Sequence, residues 1–218
     1  MIPSAAPPPP PPPAYSTTPA APGGDADYPA ALTVDSPDKI ANWRPLVHWL
    51  LAIPHFVVLY VIGIVAQVCA LISWFAIVFT GKLPPGLANM SCMYIRYSNR
   101  VGSFVGFLHE QYPPFEFATT PDDPGGYPAR TQFAPELEGR NRLTVGLRLI
   151  WMIPALIVTY LIMIVAAICW FIGFFAVLFT GKWPDGLRNW VLKGLRATTR
   201  LNGYMFLLTD QYPPLSFD

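Results

Sequence analysis

The chain has 218 residues, of which 53% are hydrophobic, 14% aromatic and only 12% charged, with a mean hydropathy of +0.38. That is too apolar and too charge-poor for an ordinary soluble domain and indicates a membrane class. Fourteen basic and 13 acidic residues leave a net charge of +1, so no global field exists to collect nucleic acid or acidic substrates.

Residues 1–27 form a proline-rich tail. Pro7 to Pro13 are consecutive; with φ fixed and no backbone donors, this stretch predicts a disordered, extended tail that builds no core. It lacks the basic start and apolar stretch of a signal peptide, so insertion is expected to depend on internal apolar segments.

Beyond the tail the chain repeats itself at a spacing of 100 residues. Ile53-Pro54 returns as Ile153-Pro154, Phe79-Thr80-Gly81-Lys82 as Phe179-Thr180-Gly181-Lys182, and Gln111-Tyr112-Pro113-Pro114 as Gln211-Tyr212-Pro213-Pro214. From residue 43 to 117 the correspondence has no gap, and roughly a third of positions are identical, as expected of one structural unit used twice. The expected units are 28–117 and 127–218, joined by a linker at 118–126 that carries Pro121, Pro124, Gly125 and Gly126.

Each unit opens with a short extended segment at Tyr28-Pro29-Ala30 or Tyr127-Pro128-Ala129. A long apolar stretch follows, Leu46 to Phe79 and Leu147 to Phe179. As a helix it would reach about 50 Å, more than the roughly 30 Å of a hydrocarbon layer, so a break is expected at Pro54 and Pro154. Trp43 to Ile53 would then be an interfacial lead-in, and Pro54 to Phe79 the spanning helix. Thr80-Gly81-Lys82 and the prolines and glycine after it predict a tight turn. The next segment, Leu87 to Leu108 or Leu187 to Leu208, is amphipathic: Asn89, Arg96, Arg100 and Ser103 share one face, as do Asn189, Lys193, Arg196, Arg200 and Gly203. Phe115-Glu116-Phe117 and Leu215-Ser216-Phe217 alternate as short surface strands do, and pairing with the Tyr-Pro-Ala segments is expected.

The fold expected is an all-α integral membrane fold: a tandem repeat of a long transmembrane helix plus an antiparallel amphipathic helix, with short surface strands at the Tyr-Pro segments. Identical patterning predicts that both copies insert in the same orientation, which requires an even number of crossings per unit. Either the amphipathic segment is the second span, or the long stretch folds as a hairpin and the amphipathic helix lies on lipid. Inverted copies that each cross once are the third arrangement. Basic residues near the termini and linker favour their cytoplasmic placement.

Cys69, Cys92 and Cys169 sit in or beside apolar segments without metal-ligand spacing, as buried thiols do. His48, His55 and His109 become Arg148, Ala155 and Thr209 in the second copy, so no metal site is shared by both. Glu110 and Asp210 match and are read as turn acceptors. Gly81-Lys82 lacks the preceding glycine loop of a phosphate site. No catalytic residue, cofactor or metal is assigned. Arg96, Arg100, Lys193, Arg196 and Arg200 are the candidates for contact with lipid, anionic lipid in particular, or with a protein partner or second copy.

The combined pattern is Ile-Pro, then Phe-Ala-x-x-Phe-Thr-Gly-Lys-x-Pro-x-Gly-Leu, two arginines four apart, and Asp/Glu-Gln-Tyr-Pro-Pro. It resembles the bacterial membrane family called domain of unknown function 4389, in both copies. The resemblance implies a bacterial cell membrane and no particular activity. The expected function is a non-enzymatic scaffold or accessory subunit of a cell-envelope complex; the alternative is a small transporter or channel subunit with intramembrane arginines.

Overall fold

The computed structural model describes residues 28–214. The proline-rich tail and the segment expected as the last strand, Leu215 to Phe217, lie outside the described residues. The order of elements is β1 (Ala30–Val34), α1 (Arg44–Leu51), α2 (Ile53–Thr80), α3 (Pro85–Val105), β2 (Ala129–Phe133), α4 (Arg142–Gly146), α5 (Arg148–Thr180) and α6 (Asp185–Met205).

The helical hairpin is built the same way in each copy. Gly81 and Gly181 close α2 and α5 in the left-handed region, with φ of 74° and 64°, and each donates its amide four residues back, to Ile77 O and Val177 O. Glycine takes that conformation without a Cβ penalty. Pro84 and Pro184 then start α3 and α6 from extended backbone. Along α2 the buried positions, among them His55, Gly63, Ala66, Ser73 and Ile77, form one narrow stripe. That stripe meets the apolar side of α3, where Ala66 and Ile77 pack in one cluster with Ala88, Cys92 and Ile95.

Small residues let the paired helices approach closely. A Cβ on Gly194 would stand 2.8 Å from that of Ala166, and one on Gly173 would stand 2.1 Å from the Trp183 ring. The proline break expected in both copies occurs only in the first, where Ala52 separates α1 from α2 and Pro54 falls in the first turn of α2. In the second copy the break falls at Leu147, and α5 runs through Pro154. Early in a helix proline costs no backbone bond; deeper in, it removes one, and here the helix continues.

The relation between the copies departs from expectation. Ile40 N donates to Gly181 O at 3.0 Å, and Arg140 N donates to Gly81 O at 3.2 Å. The start of each unit therefore lies at the far end of the other unit's long helix, so α2 and α5 run in opposite directions. This overturns the like-oriented arrangement, because flanking charge is nearly the same in both copies and carries no record of direction. Direction is set by the segments that precede the helices, each of which runs the length of the other unit.

Tyr28 Oη donates to Arg200 O at 3.2 Å, Arg196 Nε reaches Leu32 O at 3.4 Å, and Arg188 Nη1 reaches Ser36 O at 3.3 Å. The first lead segment thus runs antiparallel to α6. In the same way Tyr127 Oη donates to Gln111 O at 3.1 Å, and Leu83 N to Leu137 O at 2.8 Å, which lays the second lead segment along α3. Between the two, β1 and β2 form an antiparallel ribbon with Leu32 opposite Thr131. The strands thus begin just after the Tyr-Pro pairs, and they pair with each other. Residues 115–117 form no strand, which corrects the expected pairing partner.

The result is three layers, with α2 and α5 on one side, α3 and α6 in the middle, and the ribbon with the linker on the other. Among the described residues, Arg44–Thr80 and Arg148–Thr180 are long and apolar enough to cross a membrane. A core helix of a soluble protein meets the same standard but is mostly buried. Here only 17% and 28% of the most apolar windows are buried.

Candidate functional site

The polar face of α3 closes on the linker. Arg100, 1% exposed, directs Nη1 to the Glu116 carboxylate and Nη2 to Asp123 Oδ1 at 3.0 Å. One turn earlier, Arg96 donates to Ala118 O at 3.1 Å and Thr120 O at 2.6 Å, with Asp123 Oδ2 at 3.8 Å. Asp123 also accepts from Gly125 N at 2.9 Å and Thr131 N at 2.8 Å. Burial lowers the Arg96 pKa below the usual guanidinium value, and the Asp123 charge opposes that shift. A buried arginine bound to carboxylates and carbonyls is a strong positional clamp, and both terminal nitrogens of Arg96 and of Arg100 already have partners within the protein.

The second copy places its charge elsewhere. Arg140 and Arg148 converge on Asp210 Oδ1 at 2.6 Å and 2.7 Å, and Arg140 also donates to Leu207 O at 2.6 Å. Burial acts to raise the Asp210 pKa, but the hydrogen bonds from Arg140 and Asn141 and the nearby guanidinium charges outweigh it and hold the carboxyl below its ordinary value. Asn141 N bonds Asp210 Oδ2 at 2.9 Å, as Ala41 N bonds Glu110 Oε1 at 2.7 Å. Glu110 and Asp210, expected to be helix-end or turn acceptors, instead accept from backbone 69 residues away, just ahead of the long helices, and pair with arginines there. Arg148 donates to Tyr204 O at 2.8 Å, and its counterpart His48 bonds Phe104 O through Nδ1 at 2.9 Å. Two different side chains perform one structural task.

Among the five arginine and lysine candidates, Arg96, Arg100 and Arg200 are buried. Arg196 and Lys193 are half-buried, with the Lys193 ammonium 5.5 Å from the Trp190 ring centre. At Arg96, Arg100 and Arg196 the face read as open to lipid is therefore turned inward, under the ribbon and linker. Sequence reasoning missed Asp123 because it lies in the non-repeated linker, and passed over Glu116 and Thr131 because the first becomes Ser216 in the second copy and the second lies in a strand.

One Ser-His contact resembles a nucleophile pair. Ser103 Oγ lies 2.9 Å from His109 Nε2, but Ser103 donates its own proton to Arg100 O at 2.9 Å. The serine hydroxyl thus has the Arg100 carbonyl as a second acceptor at the same distance, so the contact is not a dedicated nucleophile–base pair. Both side chains are buried. Among the described residues no group of three or more His, Cys, Asp or Glu side chains is placed to hold a metal ion.

The family described as Domain of unknown function (DUF4389) matches residues 42–116 and 142–216. The chain belongs to this family. The two DUF4389 stretches begin at the helical lead-ins, so the ribbon strands and the linker that locks Arg96 and Arg100 lie outside them. No curated protein and no solved structure matches the chain.

Proposed function

We propose that this DUF4389 protein is a non-enzymatic protein embedded in the bacterial cytoplasmic membrane, serving as a scaffold or accessory subunit of an envelope complex, with its polar layer toward the cytoplasm. The observation that carries this reading is the division of its surface. The outward sides of α2 and α5 are apolar along their length, with Phe79, Leu149 and Phe179 all more than 70% exposed, whereas the buried arginines are held by internal partners. An apolar face of this extent requires a nonpolar partner, and lipid supplies one along two whole helices.

The transporter alternative needs Arg96 and Arg196 to line a water-filled path. Arg96, 3% exposed and engaged by the linker, does not favour it. The test is fractionation followed by reconstitution. The protein is expected to stay with membranes through an alkaline wash, and liposomes containing it are expected to show no ion flux above empty liposomes. Release as a folded soluble protein, or a flux lost on Arg196→Ala, would contradict the proposal.

A further inference from the structure

From the position of the charged groups along the molecule, and resting on the membrane reading above, we infer that the protein lies along the bilayer, with α2 and α5 sunk in one leaflet and the ribbon layer in water.

The long axes of the three layers run together. Contacts between His48 and Phe104, His55 and Tyr97, and Gly63 and Tyr94 place α3 antiparallel beside α2 along much of its length. The lead segments follow the same axis, since the first begins at Tyr28 beside Arg200 and reaches Gly181 at the opposite end by Ile40. If α2 and α5 crossed the bilayer, every layer would cross with them.

The middle of that length is polar. Asn99 and Thr199, equivalent residues of opposed copies, touch at 3.1 Å and so mark the midpoint. Arg96 and Arg100 lie within one turn of Asn99 on α3, and the linker that binds them reaches the surface there, with Asp122 exposed. Asp35, half exposed and paired with Arg130, sits a few residues along the ribbon. Crossing would set these carboxylates and the irregular linker backbone near mid-bilayer on the outer surface of the molecule. Unsatisfied backbone in hydrocarbon costs several kcal/mol per group, and charge at that depth is expensive as well.

Turning the molecule through a right angle removes the conflict. The apolar sides of α2 and α5 enter the acyl chains, α3 and α6 ride above them at a helix spacing of roughly 8–10 Å, and the ribbon and linker stay hydrated. The length of α2 and α5, about 42 and 50 Å at 1.5 Å per residue, then needs no match to bilayer thickness. The opposed copies also fit, because one lysine turn falls at each end of the axis, and both can meet headgroups of the same leaflet. The occupant of the apolar face is the acyl layer of a phospholipid leaflet.

Depth along α2 tests this directly. Val57, Ile64 and Leu71 are exposed and seven residues apart, so they share one face. Spin labels are placed singly at Val57→Cys, Ile64→Cys and Leu71→Cys in the full chain, with Cys69→Ala; Cys92 and Cys169 are buried and are kept. In phosphatidylcholine–phosphatidylglycerol liposomes, the three depths are expected to agree within about one helix radius, roughly 2–3 Å. Depths that change by about 10 Å from one label to the next would overturn the in-plane placement and leave the membrane reading standing. Labels that report only water would overturn both. Labels at Ile157→Cys, Ile164→Cys and Ile172→Cys on α5 provide an independent series, with the same outcomes.

Discussion

Thr199 Oγ1 donates to Asn99 Oδ1 at 3.1 Å, and these two residues hold the same place in the two copies. The amide of Asn99 also donates to Thr131 Oγ1 at 3.1 Å, which joins both middle helices to the ribbon at the midpoint of the molecule. All three side chains are buried. Asn99→Leu removes the donor to Thr131 and the acceptor for Thr199, although Thr199 keeps its bond to Leu195 O. The expected loss is about 1–3 kcal/mol, measured as a lower unfolding midpoint in detergent. An unchanged midpoint would show that the contact is not part of the join.

Asp123 serves Arg96 and Arg100 together and is 4% exposed at its side chain. Removing one partner of a buried ion pair leaves charge without compensation, at a cost of about 3–5 kcal/mol. Asp123→Ala is therefore expected to destabilise the protein strongly, with protease cleavage in 118–126 as a local readout. The Lys82–Glu138 pair has the same chemistry but is mostly exposed, and Glu138→Gln is expected to change stability by less than about 1 kcal/mol. Equal effects of the two substitutions would contradict this account.

Gly81 and Gly181 end equivalent helices in the same backbone conformation, so alanine at either carries the left-handed penalty of about 1–2 kcal/mol. Their surroundings differ. A Cβ at 181 would stand 2.4 Å from Asn42 Oδ1 and 3.2 Å from Ile40 O, whereas at 81 the nearest atom is the flexible end of Arg142 at 3.2 Å. Gly181→Ala is expected to cost more than Gly81→Ala, which paired thermal melts would resolve.

His109 has its pKa pushed down from 6.5 to about 3, by burial first and the His48 ring second, against the Gln111 backbone. A group whose pKa falls on folding supports the fold while neutral. Its contribution is complete above pH 6.5, the unfolded value, and is lost as pH falls toward 3. Thr209 fills the equivalent position in the second copy, so His109→Thr is expected to flatten the decline in unfolding midpoint over that window. The same slope in both proteins would assign the decline to other groups.

The apolar stretches, the tight Gly-Lys turns and the amphipathic α3 and α6 were legible because each is recorded locally, in periodicity or turn chemistry. The repeat was legible because Ile-Pro, Thr-Gly-Lys and Gln-Tyr-Pro-Pro recur at one spacing. The exchange of lead segments was not, because Tyr28 and Tyr127 are 99 residues apart while the helices match at 100, and neither tyrosine signals which copy it will touch. Arg96 and Arg100 looked available for lipid because Glu116 becomes Ser216 and Asp123 lies in the linker, outside the repeated pattern. Helix direction was hidden for the same reason: it follows from where Ile40 and Arg140 dock, and both contacts span more than 50 residues of chain.

The opposed packing of the copies is tested most directly by cross-linking. Lys39 and Lys182 are backbone partners in an antiparallel bridge, and the bonds from Leu83 N to Leu137 O and from Arg140 N to Gly81 O bring the backbone at Glu138 beside that at Lys82. With Cys69 replaced by alanine, Lys39→Cys paired with Lys182→Cys is expected to form a disulfide rapidly in native membranes, as is Lys82→Cys paired with Glu138→Cys. Lys39→Cys paired with Lys82→Cys is expected to form none. A rapid 39–82 bridge with no 39–182 bridge would mean that the copies lie in the same direction, and would contradict the arrangement described here.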